Sequence, residues 1–220
     1  MKRLIIAIDG PSGAGKGTIS RTLSQALGYR HIDTGAMYRA VGWKAHQEGI
    51  PLDDEPAVAA LARRADIVVE GGIVSIDGHD VTRAIRTPEI DKVASAVARL
   101  PTVRETLVAR QRALGAGGGV VMEGRDIGTV VFPDADVKIY LDASPEERAR
   151  RRANDVAHTG SQAGQAAVAE AIEARDRSDT TRAVSPLTLA PDAIHIDTTG
   201  IPIDQVVAQV MALVEAKTRA

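Results

Sequence analysis

The sequence predicts an α/β protein built on a doubly wound parallel sheet. A short apolar run, Leu4 to Ile8, passes through a glycine-rich turn into a segment of helical periodicity. The same order of apolar run, polar loop and helical pattern returns in the second half of the chain. The rhythm breaks between Pro56 and Pro101, which marks that section as an insert outside the main sheet.

Leu4 to Ile8 is nearly continuous in apolar residues, as a central parallel strand covered on both faces requires. From Lys16 to Leu27 the positions Ile19, Leu23, Ala26 and Leu27 recur at helical spacing, and Gly28 ends the pattern. A short second strand precedes Asp33, Thr34 and Gly35, with Tyr38 and Arg39 on the first turns of the helix that follows. In the insert, EPAVAALARRAD is helical in pattern, and IVVEGGIVSIDG holds two β-rich pieces around Glu70-Gly71-Gly72, a hairpin. Val120 to Met122 and Val137 to Leu141 are further strands, each followed by polar loop residues and a helical pattern. Ala193 to Ile196 is the last strand. It precedes a helix from Asp204 to Ala216 with Val206, Val207, Val210, Leu213 and Val214 on one face. Between Arg152 and Gln165 the text NDVAHTGSQAG is polar and short in side chain, either a solvated connection or a lid tip. One domain over residues 1–220 is expected.

Composition removes several function classes. With 27 basic and 29 acidic side chains the chain has no global field to attract nucleic acid or anionic lipid, so any anion site must be local. One tryptophan, three tyrosines and one phenylalanine are too few for a base-stacking platform. Neither nucleic acid nor a membrane is expected as a partner. The absence of cysteine excludes disulfides, thiolate metal sites and cysteine nucleophiles. None of the five histidines stands four residues from another, so no helical zinc pair exists. The apolar run of MKRLIIAIDG stops at Asp9, and no window approaches a membrane span, so a cytoplasmic protein is expected.

The stretch IAIDGPSGAGKGTIS carries the first chemistry. Gly10, Gly13, Gly15 and Lys16 fit G-x-x-x-x-G-K between a strand and a helix, which is the context that motif requires. Glycines let successive backbone N–H groups turn inward as an anion nest, and the helix N-terminus adds its partial positive charge. Lys16 can follow charge on β- and γ-phosphate oxygens during transfer. Gly10, Pro11, Ser12, Gly13, Ala14, Gly15, Lys16, Gly17 and Thr18 are therefore the expected ATP-binding loop. Gly17 stands where a hydroxyl usually follows the lysine and meets Mg²⁺, with Thr18 one place later. No N-K-x-D motif occurs, which speaks against a GTPase.

Further charge gathers near expected strand ends, where an open parallel sheet forms its ligand crevice. HIDTGAMYR offers Asp33, Thr34 and Arg39, though Asp33 or Thr34 also suits a helix cap. MEGRDIGTVVFPDA places Arg125 and Asp126 just past a strand. Arg148, Arg150, Arg151 and Arg152 crowd one short segment, and RDRSDTTRAVSPL supplies Arg175, Asp179 and Arg182. Guanidinium forks bond phosphate oxygens in pairs.

Through GPSGAGKGT, DTGAMYR, ASAVARLPTVRETLVARQR, GRDIGTVVFPDADVKIYLDAS and RDRSDTTRAVSPL, from about Leu4 to Val214, the chain resembles the bacterial cytidylate kinases, nucleoside-monophosphate kinases among the P-loop kinases. The resemblance implies a three-layer fold around a five-stranded parallel sheet. It also implies a monophosphate-binding insert matching residues 56–101 and an arginine-rich lid matching about 146–165. It places Thr34, Tyr38, Arg39, Ser95, Arg104, Arg125, Asp126, Asp179 and Arg182 around the acceptor nucleotide, and Glu123 where many relatives carry aspartate. The implied reaction moves the γ-phosphoryl group of Mg·ATP to CMP, and to dCMP. Lys16 would hold the donor, Arg39, Arg125 and Arg182 the acceptor phosphate, and Arg148, Arg151 and Arg152 would close from the lid. Asp126, Arg104 and Ser95 complement the donor and acceptor edge of cytosine. The residue that holds Mg²⁺ stays open, and a monomer is expected. Two alternatives remain: another small-molecule kinase on this scaffold, for UMP, AMP, dTMP or shikimate, and a nucleotide-binding module without catalysis.

Overall fold

A computed structural model describes residues 3–155 and 164–219. Five strands, β1 (Ile5–Asp9), β2 (Arg30–Asp33), β6 (Val120–Glu123), β7 (Val137–Asp142) and β8 (Ile194–Asp197), form one sheet in the order β2-β6-β1-β7-β8. Every neighbouring pair in it is parallel. β1 lies at the centre, in register with β6 at Ile6↔Val121 and with β7 at Ile6↔Val137. Its two-residue period sends Ile6 and Ile8 to one face and Ala7 to the other. Ile6 and Ile8 pack with Ile19 and Leu23 of α1 (Lys16–Leu27) and Val206, Val210 and Val214 of α8 (Ile203–Arg219). Ala7 packs with Ile32, Met122 and Val108, the last on α5 (Pro101–Gly115). Helices therefore cover both faces, which is why β1 and β6 read as unbroken apolar runs.

α1 ends where the sequence indicates: Gly28 takes the left-handed conformation, and its N–H and that of Tyr29 close on Gln25 and Ser24. Asp33 caps α2 (Thr34–Gln47) through the Ala36 N–H.

The insert holds α3 (Glu55–Arg64), a small antiparallel sheet of β3 (Ile67–Glu70), β4 (Ile73–Ile76) and β5 (His79–Asp80), and α4 (Pro88–Val97). The hairpin turns at Gly71 and Gly72, both at positive φ, as the two-residue turn demands. β5 is an addition to the sequence expectation. Asp77-Gly78 makes a second such turn, but a two-residue strand leaves no periodicity to read. Met37 and Val41 of α2 share a core with Leu61, Ile76, Ile90 and Leu107, so the insert is packed onto the helices of the main body.

One element departs from the strand-then-helix expectation. β6 leads into a single π-helical turn, Ile127–Val131, and not into a regular helix. Val131 N–H closes on Asp126 and Phe132 N–H on Ile127, while Asp9 captures the first two N–H groups and Pro133 forbids continuation. The charged segment after β7 forms α6 (Pro145–Ala153) and, beyond the undescribed stretch, α7 (Gln165–Thr181). The expected lid tip lies largely outside the described residues. Among those described, no helix is long and apolar enough to cross a membrane.

Candidate active site

The carboxyl ends of β1, β2 and β6 open onto one cleft of about 400 Å³, lined by the glycine loop and by arginines from four other elements. The loop leaves β1 at Asp9 and enters α1 at Lys16. Gly13 sits at φ 81°, and a Cβ there would lie 2.7 Å from the Arg148 carbonyl oxygen, so the loop's close approach to α6 requires glycine. No side chain caps the start of α1, which leaves its end suited to an anion. Lys16 is buried and donates from Nζ to the Pro11 carbonyl at 2.7 Å. Burial, and then the charge of Arg125, push it well below the usual ammonium range.

Arg148 and Asp176 fix the loop from outside. Arg148 donates to the carbonyls of Ala143 and Ser12 and pairs with Asp176, which accepts the Ser12 N–H at 3.3 Å. Arg151 is held by Thr198 through 2.8 Å and 2.7 Å bonds and reaches the cleft wall.

Glu123 ends β6 beside Gly17. A Cβ on Gly17 would stand 3.4 Å from Glu123 Oε1, so the space that a hydroxyl residue would fill faces a carboxylate. Asp33 is the register partner of Glu123 on β2, and His31 Nε2 lies 2.7 Å from Glu123 Oε1. Burial works to raise Asp33, but Arg39 and Arg86 bring it below the usual carboxylate range. Two carboxylates beside a phosphate loop fit Mg²⁺, which is held by one or two such groups together with substrate phosphates and water. Among the described residues no cluster of three acidic, histidine or cysteine side chains forms a protein-only metal site.

The far wall is cationic. Arg39, Arg86, Arg125, Arg152 and Arg175 line it. Arg125 Nε donates to Asp179 at 2.8 Å and Arg39 Nε to Asp91 at 3.0 Å. Burial opposes both charges, and those carboxylates overcome it. Arg175 is pulled down to about 10, first by burial and then by Arg39 and Arg125.

Of the residues expected at the acceptor base, Arg104 and Asp126 are paired with each other. Arg104, 2% exposed, pairs with Asp126 through Nη2 and lies 5.4 Å from the Tyr38 ring centroid. Arg182 Nη2 stands 3.7 Å from Asp126, and its Nη1 3.8 Å from Asp179. Burial pushes Tyr38 up to about 12, so its hydroxyl stays a neutral donor. Ser95 Oγ bonds Ser178 at 3.2 Å. Thr34 Oγ1 donates to the Glu123 carbonyl at 2.7 Å, tying α2 to β6. Arg104 Nε, Arg175 Nε and Arg182 Nη2 are buried donors without hydrogen-bond partners among the described residues. Such donors are met by ordered water or by the acceptors of a ligand.

Arg39 and Arg125 thus share the cleft with Lys16, whereas Arg182, Arg104 and Asp126 form a buried charged cluster that does not line it. Of the three arginines expected in the lid, Arg151 and Arg152 line the cleft, and Arg148 holds the loop through the Ser12 carbonyl. Sequence reasoning missed Asp9, Asp91, Asp176, Arg86 and Ser178. Asp91 lies in the first turn of α4, where any helix favours an acid, so it carried no separate signal. A second groove of about 500 Å³, between β2 and the hairpin, contains none of the glycine-loop residues from Gly10 to Lys16.

Residues 6–216 match the family model described as cytidylate kinase. The chain is 53% identical over 219 residues to a cytidylate kinase of Pelotomaculum thermopropionicum, covering 97% of each protein. It is 47% identical over 222 residues to a cytidylate kinase of Bacillus subtilis, covering 99% of each. Its fold is similar to that of a shikimate kinase from Acinetobacter baumannii, with TM-score 0.51, 16% identity and coverage of 97% of this chain and 94% of that one. A gluconokinase from Sinorhizobium meliloti gives TM-score 0.50 at 15% identity over 96% of this chain and 90% of that one, again a likeness of fold alone.

Proposed function

We infer the reaction from one premise, that this chain belongs to the cytidylate kinase family. It transfers the γ-phosphoryl group of ATP to CMP, giving ADP and CDP. One arrangement supports a route through this chain's own residues: Lys16 and the glycine loop open into the same cleft as Arg39 and Arg125, and the next residue, Asp126, pairs with the buried Arg104.

On this reading the loop N–H groups and Lys16 hold the β- and γ-phosphates. Arg39 and Arg125 hold the acceptor phosphate, with Arg182 behind them. An oxygen of that phosphate forms the new bond to the γ-phosphorus as the bond to the β-bridging oxygen breaks, and ADP leaves. The acceptor is already mostly dianionic at neutral pH, with a second pKa of about 6, so no protein base is assigned. Mg²⁺ bound to the donor would neutralise charge on the β- and γ-oxygens, and Glu123 and Asp33 are the residues that would hold it or its waters. Arg152 and Arg151 are assigned to closure over the transferred group, which excludes water.

Asp126 accepts from the cytosine amine while Arg104 and Ser95 meet the ring acceptors. By the same resemblance dCMP is assigned as a second acceptor. Coupled assays with ATP and each of CMP, dCMP, UMP and AMP test this. CMP and dCMP should lead in kcat/KM, and ATP hydrolysis should be slow without an acceptor. UMP or AMP ahead of CMP, or equal hydrolysis with and without CMP, would overturn it.

A further inference from the structure

Asp91 of α4 receives guanidinium groups from three other elements. Arg39 of α2 bonds Oδ1 through Nε at 3.0 Å, Arg175 of α7 bonds the same oxygen through Nη1 at 3.0 Å, and Arg152 of α6 pairs with Oδ2. All three arginines line the cleft that holds the glycine loop, and each side chain is less than one fifth exposed. A carboxylate flanked by guanidinium forks presents the geometry that a phosphate presents to them.

We propose that Asp91 is an affinity-setting residue for the acceptor: in the ligand-free chain it stands in for the acceptor phosphate on Arg39, Arg152 and Arg175, and it competes with that phosphate for them. The proposal rests on the reading that Arg39 holds the acceptor phosphate. Two further observations support it. Arg175 is drawn down to about 10, by burial first and then by Arg39 and Arg125 against Asp91 and Asp179, so an added anion would stabilise its charged form. Arg175 Nε also remains a buried donor without a hydrogen-bond partner among the described residues. Arg39 also feels the charges of Asp33 and Glu123, and Arg86 stands 3.8 Å from Asp33, so the cluster borders the carboxylates assigned to Mg²⁺. Because Asp91 sits on α4 of the insert and Arg152 and Arg175 on α6 and α7, its release frees these elements to regrip around a nucleotide.

The test compares wild type with Asp91→Asn, Asp91→Ser and Asp91→Glu. Removing the charge should lower KM for CMP about threefold or more with little change in kcat, and should tighten binding of inorganic phosphate in calorimetry by a similar factor. Asp91→Glu, which keeps the anion, should resemble wild type in both. Asp91→Asn should melt lower than wild type without ligand and gain more in Tm on saturation with CMP. An unchanged or raised KM together with unchanged phosphate binding in both charge-removing variants would overturn the proposal. The phosphate titration separates the two readings. Tighter phosphate binding with no CMP turnover in any variant would sink the acceptor assignment alone, and normal CMP turnover with unaltered phosphate binding would sink only the role of Asp91.

Discussion

The carboxylate of Asp9 accepts the backbone N–H of Gly128 at 2.7 Å, and that of Ile127 at 2.8 Å, across 119 and 118 residues of chain. One side chain at the end of β1 therefore fixes both the start of the phosphate loop and the loop that carries Arg125 and Asp126. Donor and acceptor sites are registered through it. Burial, with a smaller push from Asp126, raises Asp9 to about 6, and the two N–H bonds restrain the rise.

A raised carboxyl makes a signed prediction. Between its unfolded value of 3.8 and about 6 the folded chain binds more protons than the unfolded one, so this group's contribution to stability falls as pH rises and is flat above. The change amounts to about 3 kcal/mol. Asp9→Asn lacks the titration, so urea unfolding from pH 4 to 7 should show wild type losing stability relative to the variant over that window. A constant difference would contradict it. Because Asn presents one acceptor in place of two, kcat/KM should fall for both nucleotides at pH 7, by about tenfold.

Lys16 predicts a proton linkage of opposite origin. Depressed by burial and by Arg125 in the ligand-free chain, it is raised when phosphate arrives, so over the pH range between those two states ATP binding takes up a proton and weakens as pH rises. Calorimetry in two buffers of different ionisation enthalpy measures the uptake, which Lys16→Met should abolish. In Lys16→Ala turnover should drop about 10²-fold or more with unchanged circular dichroism. Equal kcat would remove Lys16 from the mechanism.

Much of this was readable beforehand where a residue's local demand and its global place agree. The glycine loop needs positive φ, a strand before it and a helix after it, and all three leave marks in sequence. The sheet order does not: nothing in Val120 to Met122 says that it lies between β1 and β2, because parallel register is set by packing on two faces. The π-helical turn was hidden because its cause, Asp9, is distant along the chain. Asp91 and Asp176 looked like ordinary helix acids, and their arginine partners stand 52 to 84 and 28 residues away respectively. Long-range ion pairs have no sequence period.

Glycine at position 13 offers a controlled comparison with Gly28. Both have positive φ, at 81° and 64°, but only at Gly13 does an added Cβ meet backbone, 2.7 Å from the Arg148 carbonyl oxygen; Gly28 has open space. Gly28→Ala should therefore cost about 1 kcal/mol from conformation alone. Gly13→Ala should cost about 1–3 kcal/mol more and weaken ATP binding as the loop moves off α6. Thermal unfolding with ATP titration separates the cases, and equal losses in the two variants would mean that the loop tolerates displacement.

Asp126 gives the sharpest specificity test. Its carboxylate pairs with Arg104 and lies 3.7 Å from Arg182, and Asp126 is 6% exposed. Cytosine offers it an N–H, whereas uracil offers an acceptor oxygen, leaving two acceptors opposed and buried at a cost of about 1–3 kcal/mol. CMP should then exceed UMP in kcat/KM by about 5- to 150-fold. In Asp126→Asn the amide can present either its oxygen to the cytosine amine or its NH₂ to the uracil oxygen, so the ratio should fall towards unity through a loss on CMP. The same change strands Arg104, whose charge then lacks its buried partner, so the variant should also lose about 3–5 kcal/mol of stability. CMP restores none of that guanidinium's charge balance, since its base is neutral, so the stability loss should persist at saturating CMP while the specificity change appears only in kinetics. A variant that keeps the wild-type CMP to UMP ratio would show that Asp126 does not read the base.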